Sequence, residues 1–317
     1  MSRVLLLGAT GTIGRAAAAA LLARGHDVVC IVRTAPGDLP AGAIVRIANV
    51  SDPTSLAGDG IRGERFDALV SCLASRTGVP ADAWAIDYKA NANALAAART
   101  AGITQMVLLS AICVQKPRLA FQHAKLAFET ELVASGVAWS IVRPTAFFKS
   151  LSGQVERVRR GKPFLVFGDG RLTACKPIGD RDLATFLVNC LDDPARRNRI
   201  LPIGGPGPAV TPLDQAEALF SLLTLKPRIR RVPVALIDAV VATLGGLAVL
   251  RPSLADKAEL ARIGRYYATE SMLVRDAATG RYDADATPST GTETLFDHYA
   301  RLVRGEVENL RGAHSVF

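Results

Sequence analysis

The sequence is poor in aromatic residues and has no closely spaced cysteines. Only 6% of its 317 residues are Phe, Trp or Tyr, and none of its five cysteines belongs to a CxxC pair. Zinc and iron–sulfur centres draw on closely spaced cysteines, so the spacing argues against both. Three of the cysteines lie in apolar runs, and we therefore expect buried thiols and no metal site.

The chain also lacks basic runs interleaved with aromatic residues. Its formal net charge is +9, but the 38 Lys and Arg residues are scattered. This distribution argues against nucleic acid as a partner and favours a small carboxylated or phosphorylated ligand. No basic leader with an apolar core precedes the first predicted strand, which predicts a cytoplasmic protein. Nothing in the sequence indicates an obligate protein partner.

One long apolar run comes close to the length of a membrane span. Residues 232–250 are almost wholly apolar, but Pro233, Asp238 and the pair Gly245 and Gly246 interrupt the run. A carboxylate near the centre of a bilayer is costly. We therefore predict a buried or cleft-capping helix, and a peripheral membrane contact is the alternative.

Short β-branched runs alternate with longer alanine-rich stretches through about residue 142. The runs are residues 4–7, 28–32, 44–47, 68–72, 106–109 and 139–142, and the main stretches are residues 13–23, 90–100 and 119–133. The stretches are long enough for the right-handed crossovers that a parallel sheet requires. The pattern therefore predicts an α/β fold with a doubly wound parallel sheet, the Rossmann arrangement.

A glycine-rich turn follows the first predicted strand and precedes a helix. In such a turn the first glycine permits the tight bend, the second lets the backbone approach a pyrophosphate, and the third allows the helix to pack on the sheet. The N–H groups at the helix start then face the phosphates. We therefore predict a dinucleotide site formed by Gly8, Thr10, Gly11, Thr12, Ile13 and Gly14.

The end of the second predicted strand indicates which dinucleotide is bound. An NAD-selective site places Asp or Glu there, whereas this strand ends in Arg33. A guanidinium suits a 2′-phosphate, and Arg15 adds positive charge on the same side, so we predict NADP(H). Ser71, after the fourth strand, is expected beneath the ribose. Asp52, after the third, either meets the adenine edge or only caps the next helix.

The composition of the chain changes after Pro144. Glycine and proline become frequent there, most densely at residues 204–208. We predict an NADP-binding domain at residues 1–145. Residues 178–203 are expected to return to its sheet through a helix capped by Asp182 and a strand at residues 200–203. Residues 146–177 and 204–317 are predicted to form a smaller, mainly helical substrate-binding lobe.

The glycine spacing GxxGxxG resembles that of the short-chain dehydrogenase/reductase superfamily, particularly its extended and atypical branches. Members carry a serine after the fifth strand and Tyr-x-x-x-Lys on the next helix. Ser110 and Lys125 match the catalytic serine and lysine, whereas Phe121 stands at the tyrosine position. Because phenylalanine transfers no proton, ordinary carbonyl reduction is disfavoured. The resemblance implies that Lys125 binds the nicotinamide ribose and stabilises charge.

Several segments resemble a narrower family. LSAICVQKP at residues 109–117, FQHAKLAFE at residues 121–129 and RPTAFFKSL at residues 143–151 are similar to the NADPH-dependent divinyl chlorophyllide 8-vinyl reductases. The resemblance implies reduction of the 8-vinyl group of a divinyl chlorophyllide or protochlorophyllide to ethyl, without flavin or iron–sulfur cluster. Hydride addition to a vinyl group conjugated with a macrocycle spreads negative charge over the ring, so no oxyanion forms for a tyrosine to protonate.

The substrate that this resemblance implies is a flat, carboxylated tetrapyrrole. Phe121 is expected to pack on the macrocycle, and Phe147 and Phe148 are candidates for its walls, with a core role as their alternative. Lys149 and Lys116 are candidates for pairing with the propionate. The proton donor is left open among Lys125, Lys149, Cys113 and water.

Two alternative functions are left open by the residues. The first is a reductase of another apolar conjugated substrate, similar to the isoflavone reductases, whose sites also keep the lysine without the tyrosine. The second is a non-catalytic NADP sensor or assembly factor, because some atypical members of the superfamily bind the cofactor and regulate partners.

Overall fold

The elements below are those of a computed structural model, which describes residues 1–35 and 38–308. Through residue 144 they are β1 Arg3–Leu7, α1 Thr12–Ala23, β2 Asp27–Val32, β3 Ile44–Ile47, α2 Pro53–Ser55, β4 Ala68–Ser71, α3 Pro80–Ala83, α4 Asn91–Thr100, β5 Gln105–Leu109, α5 Ala120–Val133 and β6 Ala138–Pro144. The later elements are α6 Phe148–Leu151, α7 Val155–Arg159, β7 Phe164–Phe167, α8 Asp180–Asp192, β8 Arg199–Ile203, α9 Pro212–Leu222, β9 Ile229–Val232, α10 Val234–Leu250, α11 Ala255–Thr269, β10 Val274–Arg275, β11 Tyr282–Asp283 and α12 Leu295–Arg304.

The chain divides into two compact units. Unit 1 comprises Met1–Ser75, Ala81–Pro144 and Asp180–Pro202. Unit 2 comprises Arg76–Pro80, Thr145–Gly179 and the chain from Ile203 onward.

Unit 1 is built on a seven-stranded sheet with the strand order β3-β2-β1-β4-β5-β6-β8. The pairs from β3 through β6 are parallel; Leu7 at the end of β1, for example, lies opposite Ile31 of β2 and Ser71 of β4. The strand order reverses between β1 and β4, which is where doubly wound sheets bind ligands. The predicted doubly wound fold is therefore confirmed, as is the strand predicted at residues 200–203.

Helices cover both faces of this sheet because strand side chains alternate between them. Leu5 and Leu7 of β1 share a hydrophobic cluster with Leu95 of α4 and Phe128 of α5. The intervening residues of β1 are equally buried and face the other side, where α1 packs against α8. Burial on both faces explains why the strands read as continuous apolar runs.

Helix α8 corrects one detail of the sequence analysis. The helix begins at Asp180, directly after Gly179, so Asp182 lies within its first turn and is not the residue that precedes it. Gly179 lies where any Cβ would come within 3.0 Å of the Phe148 ring. The helix therefore begins three residues earlier than the predicted cap at Asp182 implies.

Unit 2 packs α9 and α12 against the short parallel pair β7 and β9. Phe148, Phe164 and Leu219 belong to its hydrophobic cluster together with Tyr299. The ring of Tyr299 is fully buried, and its hydroxyl donates a hydrogen bond to the Leu151 carbonyl at 2.7 Å. This bond satisfies the polar end of the ring inside the core.

The apolar run at residues 232–250 forms α10, which packs against α11, but none of its 17 residues is buried. The predicted buried helix is therefore wrong, because α11 covers one face of α10 and leaves the other exposed. The other predicted role, a helix that caps a cleft, stays a prediction. Within residues 1–35 and 38–308, no helix combines the length and the apolar character that crossing a membrane requires.

Candidate active site

The turn after β1 has no room for side chains at two of its glycines. Gly8 has a φ of +77°, and a Cβ there would lie 2.5 Å from the Cys72 carbonyl oxygen. A Cβ on Gly14 would lie 2.1 Å from the Gly8 carbonyl oxygen. Both distances are shorter than real Cβ contacts, so only glycine lets the start of α1 lie this close to the turn.

The start of α1 presents backbone N–H groups that lack helical acceptors. The helix begins at Thr12, and Gly11, the residue that precedes it, provides no side-chain cap. Thr10 and Gly11 are exposed, whereas Ile13 is buried and anchors the helix to unit 1. Uncapped amides and the helix dipole together favour an anion, so the turn fits the diphosphate of a dinucleotide.

Two arginines lie at the ends of elements that flank this turn. Arg33 is exposed directly after β2. Arg15 forms an ion pair with Asp38 at 2.5 Å and donates to the Thr10 carbonyl at 3.2 Å. Asp38 was not predicted at this site; it engages the Arg15 guanidinium, so Arg33 is the stronger candidate for a 2′-phosphate.

The side chains after β3 and β4 are engaged within unit 1. Ser71 is fully buried, and its hydroxyl donates to the Asn91 side chain at 2.6 Å. Asp52 accepts a hydrogen bond from the Thr54 amide at 2.9 Å, which makes it the cap of α2. Of its two predicted roles, the structure therefore shows the capping one.

Lys125 lies on α5 and forms an ion pair with Asp87. The Lys125 Nζ is 2.8 Å from the Asp87 Oδ1, and the side chains are 11% and 0% exposed. The Ser75 amide also donates to this oxygen at 3.3 Å. The second oxygen, Oδ2, is buried and has no hydrogen-bond partner among the described residues. A charge buried in this way requires a partner, and Lys125 provides it.

Asp87 lies on a π-helical turn, Trp84–Ala90, which leads directly into α4. Such turns are rare and occur often at functional sites. Asp87 was not among the predicted site residues, although it lies four residues before Asn91, the partner of Ser71. The available signal was an acidic residue within an otherwise helical stretch that follows the fourth strand.

A second polar cluster involves the predicted catalytic serine. The Ser110 hydroxyl donates to a carboxylate oxygen of Glu129, which also accepts two hydrogen bonds from the Arg143 guanidinium. Ser110 and Glu129 are both buried. Phe121, Lys125 and Glu129 follow one another at four-residue intervals, so they lie on one face of α5. That face therefore brings together the Asp87–Lys125 pair and the Ser110–Glu129–Arg143 cluster.

The remaining predicted residues do not all offer surface to a ligand. Phe121 is largely buried, and Cys113 is only 2% exposed. In unit 2, Phe147 and Lys149 are half-buried, whereas Phe148 lies in the core with its ring 5.2 Å from that of His298. Within the described ranges, no three His, Cys, Asp or Glu side chains are arranged to hold a metal ion.

Comparisons with known proteins agree with this geometry. A family model described as NAD(P)H-binding matches residues 8–194. A divinyl chlorophyllide a 8-vinyl-reductase of Zea mays is 49% identical over 95% of this chain and 79% of its own length. A reductase of the same name from Cucumis sativus is 47% identical over 100% of this chain and 80% of its own. This chain belongs to the divinyl chlorophyllide a 8-vinyl-reductase family.

Solved structures show which known folds this reductase family member resembles. An NADPH-dependent quinone oxidoreductase of Escherichia coli, complexed with NADPH, matches with a TM-score of 0.65. The match covers 95% of this chain and 99% of the other at 19% identity, so it bears on the fold alone. The family model, which begins at the glycine turn and extends to residue 194, shows that the chain binds a nicotinamide cofactor.

Proposed function

We propose that this protein uses NADPH to reduce the 8-vinyl group of a divinyl chlorophyllide, or of its protochlorophyllide form, to ethyl. The observation that carries the proposal is the set of side chains on one face of α5. There Lys125 is held by Asp87, and Phe121 stands where related enzymes place a proton-donating tyrosine. In a chain of this reductase family, that combination suits hydride addition to a conjugated alkene rather than to a carbonyl.

The residues of unit 1 fit the cofactor. The turn residues Gly8 to Gly14 would hold the diphosphate, Arg33 the 2′-phosphate, and Lys125 the nicotinamide ribose. When bound, NADPH supplies the hydride. The choice of NADPH over NADH rests on Arg33, an exposed guanidinium at the end of β2 where NAD-selective sites carry an acid.

Lys125 contributes charge and position. The Asp87 carboxylate holds the ammonium of Lys125 in one place, within a site that is mostly closed to water. A fixed positive charge stabilises negative charge that develops on a conjugated ring, and it needs no reorganisation to do so. Phe121 contributes an apolar surface to the same helix face and takes no part in proton transfer.

The proton that completes the reduction has fewer candidate donors than the sequence alone suggests. Cys113 is buried and 2% exposed, which argues against it. Lys125, Lys149 and water stay as candidates. Ser110 donates to Glu129, and we propose that it acts by holding Glu129 and Arg143 in place on the face of α5 that also carries Lys125. The proposed roles of Ser71, Phe147, Phe148 and Lys149 stay predictions.

A tetrapyrrole carboxylate is the proposed small-molecule partner. Its flat ring suits aromatic walls, and its propionate suits a lysine. The absence of a nucleic-acid partner and of an obligate protein partner stays a prediction. A cytoplasmic location also stays a prediction. The names of the Zea mays and Cucumis sativus relatives describe those proteins as chloroplastic.

A spectroscopic assay tests the proposed reaction directly. The purified protein is incubated with divinyl chlorophyllide a and NADPH. Because reduction shortens the conjugated system, the main absorption band should move to the blue while NADPH is consumed in equal amount. A cofactor that binds without being consumed would favour the sensor, and reduction of another apolar alkene instead would favour the isoflavone-reductase-like alternative.

The Lys125→Ala substitution tests the site. Turnover should fall by about 100-fold or more, because a positioned charge is lost. The substitution also leaves Asp87 buried and unpaired, which lowers the free energy of unfolding by about 3–5 kcal/mol. The double variant Asp87→Asn/Lys125→Met removes both charges and separates the two effects: the thermal midpoint should recover while turnover stays low.

Lys89→Ala is the matched control, since Lys89 is an exposed lysine on the π-helical turn that carries Asp87. It should leave kcat and KM unchanged. Full activity in Lys125→Ala, or recovery of activity in the double variant, would show that this lysine has no part in the reaction.

A further inference from the structure

Helix α10 presents an apolar face that the described chain leaves exposed. The residues on this face are Ala235, Leu236, Ala239, Val240, Ala242, Thr243, Gly246, Leu247, Val249 and Leu250. None of them is charged, and Leu236, Val249 and Leu250 are 58%, 82% and 80% exposed. Leu236, Val240, Thr243, Leu247 and Leu250 follow the helical repeat, so they form one continuous stripe. Contiguous apolar surface of this kind marks an interaction site.

The opposite face of α10 is already occupied within unit 2. It packs on α11, where Asp238 forms an ion pair with Arg265. The ideal Cβ position of Gly245 lies 3.7 Å from the Arg262 guanidinium. The charged residue that interrupts the apolar run is therefore on the inner face and neutralised. The outer face carries no charge that would oppose burial in an apolar phase.

Exposed basic residues stand at both ends of this face. Between residues 218 and 251 the chain has five basic residues and one acidic residue, which is Asp238. The basic residues are all exposed, and they are Lys226, Arg228, Arg230, Arg231 and Arg251. Arg228 donates to the Gly161 carbonyl at 3.1 Å, which brings the exposed Lys162 next to the same cluster.

An apolar stripe with cationic ends matches the surface of an anionic lipid bilayer. Basic side chains bind the anionic headgroups, while the apolar stripe enters the boundary between headgroups and acyl chains. The helix is about 26 Å long at 1.5 Å per residue, and its inner face is packed on α11. It can therefore lie along a membrane but is not arranged to cross one.

We propose that α10 and its basic flanks, together called the α10 surface, bind the protein peripherally to anionic lipid bilayers. The α10 surface consists of Lys162, Lys226, Arg228, Arg230, Arg231, residues 234–250 and Arg251. A second copy of this chain would need an apolar partner face and would gain nothing from the six basic residues at the edges of the stripe. An anionic bilayer binds both the basic residues, through its headgroups, and the apolar stripe, at the boundary with the acyl chains.

Vesicle flotation tests this proposal on the full chain. Vesicles that contain phosphatidylglycerol should carry the protein to the top of the gradient, whereas vesicles of phosphatidylcholine alone should not. Raising the salt to about 1 M, where screening acts over about 3 Å, should release most of it. Equal flotation with both lipids, or none with either, would overturn the proposal.

Two pairs of variants separate the electrostatic and the apolar contributions. Arg230→Glu/Arg231→Glu and Leu236→Glu/Leu250→Glu should each weaken binding to the anionic vesicles by about tenfold or more. The matched controls are Arg65→Glu/Arg99→Glu and Val133→Glu, which change exposed arginines and an exposed apolar helix residue of unit 1. The controls should bind like the unchanged protein, and equal weakening by them would contradict the assignment to the α10 surface.

Folding and self-association are checked on the same samples. The substituted residues are exposed, so circular dichroism and thermal midpoints should stay close to those of the unchanged protein. Sedimentation without lipid should give the same mass for all variants. A dimer that Leu236→Glu/Leu250→Glu dissociates, together with no flotation, would show that the stripe binds a second copy and would overturn the lipid assignment.

Discussion

Arg33 is the residue on which we propose that the choice of cofactor depends. Its guanidinium is exposed directly after β2, while Arg15 is paired with Asp38 and donates to the Thr10 carbonyl. Because these contacts engage the donors of Arg15, we expect the attraction for a 2′-phosphate to fall mainly to Arg33. The sequence marks both arginines as candidates, and only the structure separates them.

Arg33→Asp should move the preference of the enzyme from NADPH toward NADH. A charge-assisted hydrogen bond contributes about 1.5–3 kcal/mol, so the ratio of kcat/KM for the two cofactors should change by about 10-fold to 150-fold. The measurement is the initial rate with each cofactor. Arg65→Asp, on an exposed arginine after the π-helical turn at Leu56–Ile61, is the control. An unchanged ratio in Arg33→Asp would rule out its proposed role.

At the scale of elements, the start of α1 packs directly against the glycine turn that follows β1. The short approach between Gly14 and the Gly8 carbonyl leaves no space for a methyl group. Gly246 offers a contrast, because it also lies in a helix but has nothing within 4 Å of its ideal Cβ position. The two glycines therefore have different roles although both are helical.

Gly14→Ala should lower the free energy of unfolding by about 1–3 kcal/mol, because the added methyl group forces α1 away from the turn. It should also weaken NADPH binding. Gly246→Ala should instead raise stability by up to about 1 kcal/mol, since alanine restricts the unfolded chain and favours the helix. Urea unfolding and cofactor titration measure both. If the two variants behaved alike, the tight contact at Gly14 would not be what selects glycine.

At the scale of the whole molecule, both units contain buried thiols. All five cysteines lie in the described ranges and none forms a disulfide. Cys72 is half-buried, and the expectation of buried thiols is confirmed for the others, among them Cys30 and Cys190 in unit 1 and Cys175 in unit 2. Burial raises the pKa of Cys30 to about 11 and that of Cys175 to about 12. Their thiols are therefore protonated at neutral pH and react only when their unit opens.

Thiol labelling should report the opening of the two units separately. At pH 8 both thiols should react slowly in the native protein and rapidly in denaturant. NADPH at about 100 times its Kd should slow labelling of Cys30 by up to about 100-fold, because every proposed cofactor contact lies in unit 1. Labelling of Cys175 should change little. Mass spectrometry resolves the two sites, and equal protection of both would show that the units open together.

Local patterns were sufficient for most of unit 1. Alternating apolar runs, the spacing of Gly8, Gly11 and Gly14, and the resemblance around Ser110 and Lys125 predicted the sheet, the turn and the active helix, because each depends on residues close in the chain. The start of α8 lies three residues before the predicted one, and the contact of Gly179 with Phe148 at that point joins residues far apart in sequence.

Partners that meet across long sequence distances were decided by the tertiary structure. The pairing of Asp87 with Lys125, of Ser110 with Glu129 and Arg143, and of Ser71 with Asn91 depends on how helices pack on the sheet. The exposure of α10 was decided in the same way, because composition states that a helix is apolar but not which of its faces another element covers. The sequence by itself determined which groups are present and which elements they form, and packing determined which groups are neutralised, buried or left exposed.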